Sequence, residues 1–322
     1  MPKSKNMNAV VFKKYGGVDV LKYETIDVPI LAENQVLIRV KYASVNPVDW
    51  KVRNGIARVL TGIVKPKRKF QILGADISGE VEAVGAAVTI FEKEDKVCAI
   101  LGGIPGGGYA EQVAVDVSQV ALMPKSLDLQ KAAALPLTGL TAFQALKIAN
   151  IQANQNVLVN GASGGVGLFA VQIAKAKGAN VTAVCSERNA DFVRSLGADE
   201  VIDYNKKDFT KASEKYDIIY DAVGKSSLLK CKSVLSKSGV YITTMPEPIS
   251  LIQSKLLPYF SARRVIPIMT KSSGEDLAEL GELVDKFEIQ IPIEKEFSLK
   301  EVAKAHEYSQ SERVRGKLVL KM

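Results

Sequence analysis

The chain has 322 residues, 47% of them hydrophobic, and a formal net charge of +8. That length and apolar fraction allow a sizeable core and two domains, while charges and turn residues break every apolar run before bilayer-spanning length, which excludes a transmembrane helix. The stretch from Met1 to Met7 runs through Ala9 and Phe12 into Lys13 and Lys14, too short for a signal-peptide core, so a cytoplasmic protein is expected. Cys98, Cys185 and Cys231 have neither metal-type nor redox-type spacing, which argues against a disulfide framework and for a reducing compartment. Basic residues are spread along the chain except for Lys65, Lys67, Arg68 and Lys69, which lack the aromatics of a nucleic-acid stacking platform. A solvated loop is the default for that cluster. An anionic substrate or a peripheral membrane contact is the alternative.

In chain order, short strands with glycine and proline punctuation occupy Asn8 to about Ala121, among them Val36 to Tyr42, Val81 to Val84, Lys96 to Leu101 and Gln112 to Val115. From about Pro124 helical periodicities alternate with single apolar strands, the pattern of a parallel sheet. Strands are expected at Val157 to Asn160, Val181 to Cys185, Glu200 to Ile202, Tyr216 to Ala222 and Gly239 to Thr243, all in one doubly wound sheet. Farther on come a helix near Ile249 to Leu256, a strand near Val265 to Met269 and a helix from Glu275 to Phe287. A helix from Leu299 to Ser309 and a strand from Gly316 to Leu320 end the chain, the strand returning to the first domain. The fold class is α/β: a Rossmann doubly wound parallel sheet beside a β-rich domain.

Between the first two parallel strands lies Gly161-Ala162-Ser163-Gly164-Gly165-Val166-Gly167, followed by a helical run with Val166, Ala170, Ile173, Ala174 and Lys177 on one face and Gly178 at its end. Strand, glycine turn, helix and second strand make a dinucleotide-phosphate site: Gly161 turns the chain, Gly164 and Gly165 let backbone N–H groups approach a pyrophosphate, and Gly167 lets the helix pack close.

Further motifs run almost end to end: Ser44, Asn46, Asp49, Trp50 and Lys51; Gly74-Ala75-Asp76 with Gly79; Gly106 to Glu111; Ala133 to Ala142 with Pro136, Thr138 and Thr141; Gly197-Ala198-Asp199 with Tyr204; and Gly316-Lys317-Leu318. Together these resemble the zinc-free medium-chain dehydrogenases/reductases of the quinone oxidoreductase type, similar to zeta-crystallin-like and plant-type enone oxidoreductases. The resemblance implies a GroES-like catalytic domain from residues 1–126 and 288–322, a Rossmann domain from residues 127–287, and a homodimer. Zinc-dependent relatives carry a cysteine where this chain has Asn46 and a Gly-His-Glu motif where it has Gly74, Ala75 and Asp76, so no metal site is expected. The single histidine, His306, reads as a helix-surface residue remote from these motifs.

By resemblance, Asn46, Asp49 and Lys51 line the nicotinamide end of the interdomain cleft. Lys51 is placed on an enolate oxygen or on the nicotinamide ribose, with a surface lysine snorkelling beside Trp50 as the alternative; Asp49 is a hydrogen-bond orienter. Thr141 opens a helix and is similar to a nicotinamide-contacting threonine, a role compatible with an N-cap. Val223 packs near the adenosine, and Asp221 caps a turn. Lys317 resembles a cofactor-side lysine, with an edge-strand charge as the alternative, and the glycine run Gly106 to Gly108 together with Tyr109 reads as a backbone crossing without chemistry of its own. At the end of the second parallel strand, NAD sites place an acid on the ribose. Here stand Ser186 and Arg188, suited to a 2′-phosphate, and Tyr204 resembles the family tyrosine that contacts the same phosphate, although Glu187 lies between Ser186 and Arg188 and Asn189 holds the position where the family often has a basic residue. NADPH is therefore the expected cofactor. The expected activity is zinc-independent reduction of quinones or activated C=C bonds of α,β-unsaturated carbonyl compounds, the alternative being a non-catalytic NADPH-binding protein with a structural or nucleic-acid-associated role.

Overall fold

The computed structural model describes residues 6–56, 71–102, 106–245, 247–311 and 313–322; the basic cluster Lys65 to Lys69 lies outside them. The chain divides into two compact units. A β-rich unit comprises Met1–Leu137, Lys271–Asp285 and Ile291–Met322, and an α/β unit comprises Thr138–Thr270 and Lys286–Gln290.

The β-rich unit begins with β1 (Asn6–Phe12), β2 (Lys22–Asp27), β3 (Gln35–Val45) and the short helix α1 (Pro47–Arg53), followed by β4 (Gln71–Ile72), β5 (Asp76–Val84), β6 (Lys96–Ile100), β7 (Gln112–Asp116) and β8 (Val120–Leu122). Helix α2 (Leu129–Ala133) follows, and the chain leaves this unit within α3 (Pro136–Ala149).

Six strands build the α/β unit: β9 (Asn156–Asn160), β10 (Asn180–Cys185), β11 (Glu200–Asp203), β12 (Tyr216–Asp221), β13 (Leu235–Thr243) and β14 (Arg264–Pro267). Between them lie α4 (Gly165–Ala176), α5 (Ala190–Ser195), α6 (Leu228–Cys231) and α7 (Pro248–Leu256). After α8 (Gly274–Phe287) come β15 (Ile293–Ser298), a single 3-10 turn with α9 (Val302–Gln310), and β16 (Lys317–Lys321).

The six strands pair in parallel in the order β11-β10-β9-β12-β13-β14, as the doubly wound reading requires. The order reverses between β9 and β12, so the glycine loop that follows β9 sits at the switch point, where open α/β sheets bind ligands. Val157, Leu158 and Val159 are fully buried because a parallel sheet is covered on both faces. Helix α4 differs from expectation. All residues from Gly167 to Ala174 are buried, not one face, because Phe169 and Val171 make its other side apolar too.

In the β-rich unit one sheet runs β15-β16-β3-β5-β6-β8, with β7 also on β3, and a second runs β2-β1-β4. The long β3 organises the unit: its C-terminal half pairs antiparallel with β16 and its N-terminal half with β7. The last strand therefore does return to the first domain. It lies inside the sheet between β15 and β3, which removes the edge-strand explanation for Lys317. Phe12, Ile38, Ile77, Val97, Leu318 and Leu320 form the centre of this unit's core.

Candidate functional site

In the β-rich unit, β3 delivers Ser44 and then Asn46 to the start of α1, and the alternation of the strand points both inward. Both are buried, as are Asp49 and Arg53 on α1, Asp76 at the start of β5, Tyr109, His306 on α9 and Lys317 on β16. Asn46 is fully engaged: its Nδ2 donates to Ser44 Oγ (3.0 Å) and Asp76 Oδ2 (2.9 Å), and its Oδ1 accepts from Lys317 Nζ at 2.6 Å. Ser44 Oγ donates to Asp76 Oδ2 at 2.5 Å and the Leu137 N–H to Asp76 Oδ1 at 2.8 Å, with the Lys317 ammonium 3.9 Å from the carboxylate. Burial raises the pKa of Asp76 and lowers that of Lys317, and each charge opposes the other's shift.

Asp49 caps α1 from within. Its Oδ2 accepts the Asn46 N–H at 2.7 Å and the Tyr109 hydroxyl at 3.0 Å. Burial, with a smaller contribution from Asp76, pushes this carboxyl up to about 7, against the opposing pull of its two donors and of Lys317. Tyr109 also meets His306, Nε2 to Oη 3.3 Å, and Arg53 Nη1 lies 3.1 Å from His306 Nδ1.

Two expectations are corrected here. His306 is fully buried rather than on the helix surface, because the α9 face bearing Val302, Ala305, His306 and Ser309 packs inward. Tyr109, expected to lack chemistry, is the hub of a buried polar chain. The backbone crossing itself is real: Gly108 and Tyr109 donate to the carbonyls of Gly74 and Leu73, and a Cβ on Gly74 would meet the Tyr109 ring at 2.6 Å.

Lys51 is half-buried, with its ammonium 5.5 Å from the Trp50 ring centroid. An ammonium beside the Trp50 ring is what the snorkelling alternative expects.

The α/β unit carries the second constellation. Gly161 has φ +82°, a left-handed conformation, and a Cβ there would strike Val223 Cγ1 at 2.5 Å; Val223 thus covers the glycine loop. Gly164 precedes α4 in extended conformation, and Gly165 and Val166 open the helix, so its free N–H groups begin at the loop. A Cβ at Gly167 would lie 2.1 Å from the Gly161 carbonyl oxygen. Gly167→Ala should therefore force loop and helix apart and destabilise the protein by about 1–3 kcal/mol, read as a lower thermal midpoint of the α/β unit. An unchanged midpoint would mean that the loop yields freely.

Ser163 Oγ accepts from Asn189 Nδ2 at 3.0 Å, tying the glycine loop to the turn after β10. In that turn Ser186 is half-buried and Arg188 exposed, while the Tyr204 N–H donates to the Cys185 carbonyl at 3.2 Å and keeps the exposed phenol at the end of β10. Glu187, the acid that counts against a 2′-phosphate, is paired with Lys206 at 2.6 Å. Sequence reasoning missed Lys206, although its place two residues beyond Tyr204 was a usable signal. Asp221 is a structural cap: its carboxylate accepts from Asn160, Val223, Gly224, Ser226 and Tyr241. Thr141 does not begin a helix. It is the sixth residue of α3, buried, with Oγ1 2.6 Å from Thr270 Oγ1 and its carbonyl accepting from Tyr220.

A parallel sheet with a glycine cradle at its switch point, joined in one chain to a β-rich unit with a buried polar site, defines a two-unit dinucleotide-binding fold. Residues 32–125 match the alcohol dehydrogenase GroES-like domain family and residues 196–320 the zinc-binding dehydrogenase family. The chain is 34% identical to the chloroplastic quinone-oxidoreductase QR1 of Triphysaria versicolor, covering 98% of both chains. It is also 34% identical to the chloroplastic NADPH-dependent alkenal/one oxidoreductase of Arabidopsis thaliana, covering 98% of this chain and 80% of that one. The quinone oxidoreductase from Coxiella burnetii has the same fold, with a TM-score of 0.87 at 34% identity over 99% of this chain and 100% of that one. The chain belongs to the quinone oxidoreductase family of the medium-chain dehydrogenase/reductase superfamily. Among the described residues no group of three or more His, Cys, Asp and Glu side chains is arranged to hold a metal ion, and no helix is long and apolar enough to cross a membrane.

Proposed function

We propose that this chain is an NADPH-dependent reductase of quinones or of activated C=C bonds in α,β-unsaturated carbonyl compounds, working without zinc. The observation that carries the reading is the glycine cradle at the switch point, found in a chain similar along nearly its whole length to quinone and alkenal/one oxidoreductases. Gly161, Ser163, Gly164, Gly165, Val166 and Gly167 would hold the pyrophosphate, Val223 the adenosine side, and Ser186, Arg188 and Tyr204 the 2′-phosphate, with Thr141 and Lys317 assigned to the nicotinamide half.

When bound, the nicotinamide supplies a hydride. The negative charge that reduction would place on the carbonyl oxygen of an enone or quinone would be stabilised by a donor such as Lys51, with water or a side chain supplying the final proton. Asn46 and Asp49 act by holding α1, since both side chains are occupied within the protein.

A zinc ion does not fit these residues. Asn46 Oδ1 already faces an ammonium, His306 is held between Arg53 and Tyr109, and burial pushes the Cys98 thiol up to about 12.

NADPH oxidation by untagged protein against a panel of quinones and enones tests the reading, with NADH in parallel and a chelator added. Turnover of at least one acceptor, faster with NADPH and indifferent to chelation, is expected. Tight NADPH binding with no acceptor reduced would favour the non-catalytic alternative, and activity lost to the chelator and restored by zinc would overturn the metal-free mechanism.

A further inference from the structure

Hydrogen positions in the buried chain follow from chemistry alone. A guanidinium has no acceptor, so Arg53 Nη1 donates and His306 Nδ1 is the lone-pair nitrogen. The imidazole proton then sits on Nε2 and points to Tyr109 Oη at 3.3 Å, which frees the phenolic proton for Asp49 Oδ2 at 3.0 Å. Every donor points the same way, from guanidinium to carboxylate. Arg53 is anchored in turn by Nε on the Gly16 carbonyl (3.3 Å) and Nη2 on Gln310 Oε1 (3.0 Å). Asp49 and Arg53 are four residues apart on α1, so the chain bridges one face of that helix through α9 and Tyr109. An arginine does not give up its proton, so the relay conveys polarisation and not protons from solvent.

We propose that Tyr109 and His306 are positioning residues for the reduction: they carry the pull of the Arg53 guanidinium onto Asp49 and clamp α1, and with it Lys51, in its working place. The proposal rests on the reductase reading above. Asp49 faces the Asn46 N–H and Tyr109, then Asp76 from β5 and Lys317 from β16; Arg53 faces Asp19, Glu307 and Tyr109. Burial, reinforced by Arg53, pushes His306 down to about 3, so the ring stays neutral as the relay requires. The Tyr109 hydroxyl stabilises the ionised carboxylate. Its loss raises the pH at which Asp49 ionises, and activity that needs the carboxylate disappears from a higher pH downward.

His306 is the sole histidine of the chain, so 15N-histidine labelling of the untagged protein gives one imidazole to observe. The neutral Nε2–H tautomer should persist from about pH 5 to about pH 9, across the range where a free imidazole titrates. In single-turnover hydride transfer, Tyr109→Phe should move the acid limb up by about one pH unit, the loss of one hydrogen bond to a charged group. His306→Leu should act alike, while His306→Gln, whose amide can accept from Arg53 and donate to Tyr109, should restore the limb. An Nδ1–H tautomer, titration of His306 within that range, or an unmoved limb in folded Tyr109→Phe would each overturn the proposal. If Tyr109→Phe does not fold, the wild-type tautomer decides. A wild-type protein that reduces no acceptor overturns the reductase reading and the positioning role with it, whereas the imidazole spectrum independently decides whether the relay exists.

Discussion

Lys51→Met lowers the rate of hydride transfer from pre-bound NADPH to an enone by about tenfold to a thousandfold, the range for losing one preorganised donor beside developing negative charge. Lys51 stands on α1, two residues from the buried Asp49 and two from the buried Arg53, so its backbone is fixed at both ends by the polar cluster. Its ammonium rests 5.5 Å from the Trp50 ring centroid. A contact of this kind is worth about 0.5–1 kcal/mol at an exposed site, less than the stabilisation expected from one preorganised donor at a developing oxyanion. Methionine keeps the unbranched stem against Trp50 and removes only the charge, so the fold should be unchanged. If the ammonium acts on the enolate alone, NADPH affinity is preserved and the rate falls; if it holds the ribose, affinity weakens too, because that interaction exists in the ground state. Stopped-flow transfer with affinity measured separately resolves the two. A wild-type rate in the mutant removes Lys51 from the reaction and leaves it as a lysine covering an aromatic face.

The parallel sheet was legible because each central strand is a short buried apolar run between turn residues, as in Val157 to Val159. The widest miss in this sheet has a related cause: β13 begins at Leu235, four residues before Gly239, and the exposed polar Lys237 and Ser238 within it hide the strand. Thr141, expected to open a helix, lies inside one. Pro136, which has no N–H to lose in a first turn, opens that helix instead. The site was legible in its parts and not in its connections. Asn46 and Asp49 stood out as a motif, but Lys317, which donates to Asn46, and His306, which meets Arg53 on the same helix as Asp49, each lie more than 250 residues from the partner they contact, and only the antiparallel pairing of β16 with β3 and the inward turn of α9 bring them in. No local periodicity states which face of a short helix carries its one histidine inward.

Arg188→Ala should raise the dissociation constant for NADPH by about tenfold to a hundredfold, the loss of a charge-assisted phosphate contact worth about 1.5–3 kcal/mol, and leave that for NADH nearly unchanged. The turn after β10 carries Ser186 and Arg188, with Tyr204 tied to the strand end through its N–H on the Cys185 carbonyl, and no acid at the strand end to hold a ribose hydroxyl. Glu187 would repel a phosphate if its charge stood alone, but Lys206 meets it at 2.6 Å. Both partners are largely exposed, so the ion pair adds little to stability and its consequence is local: it offsets the Glu187 charge. Lys206→Ala is therefore expected to weaken NADPH in the same direction as Arg188→Ala, and Lys206→Ala with Glu187→Gln should recover most of that loss. Titration of both dinucleotides at low and high salt checks the assignment, since contacts between exposed charges fade as salt rises. Equal weakening of NADPH and NADH in Arg188→Ala, or tighter binding of NADH by the unaltered protein, would place the selectivity elsewhere. A double variant no better than Lys206→Ala would show instead that the ammonium contacts the phosphate directly rather than by neutralising its neighbour.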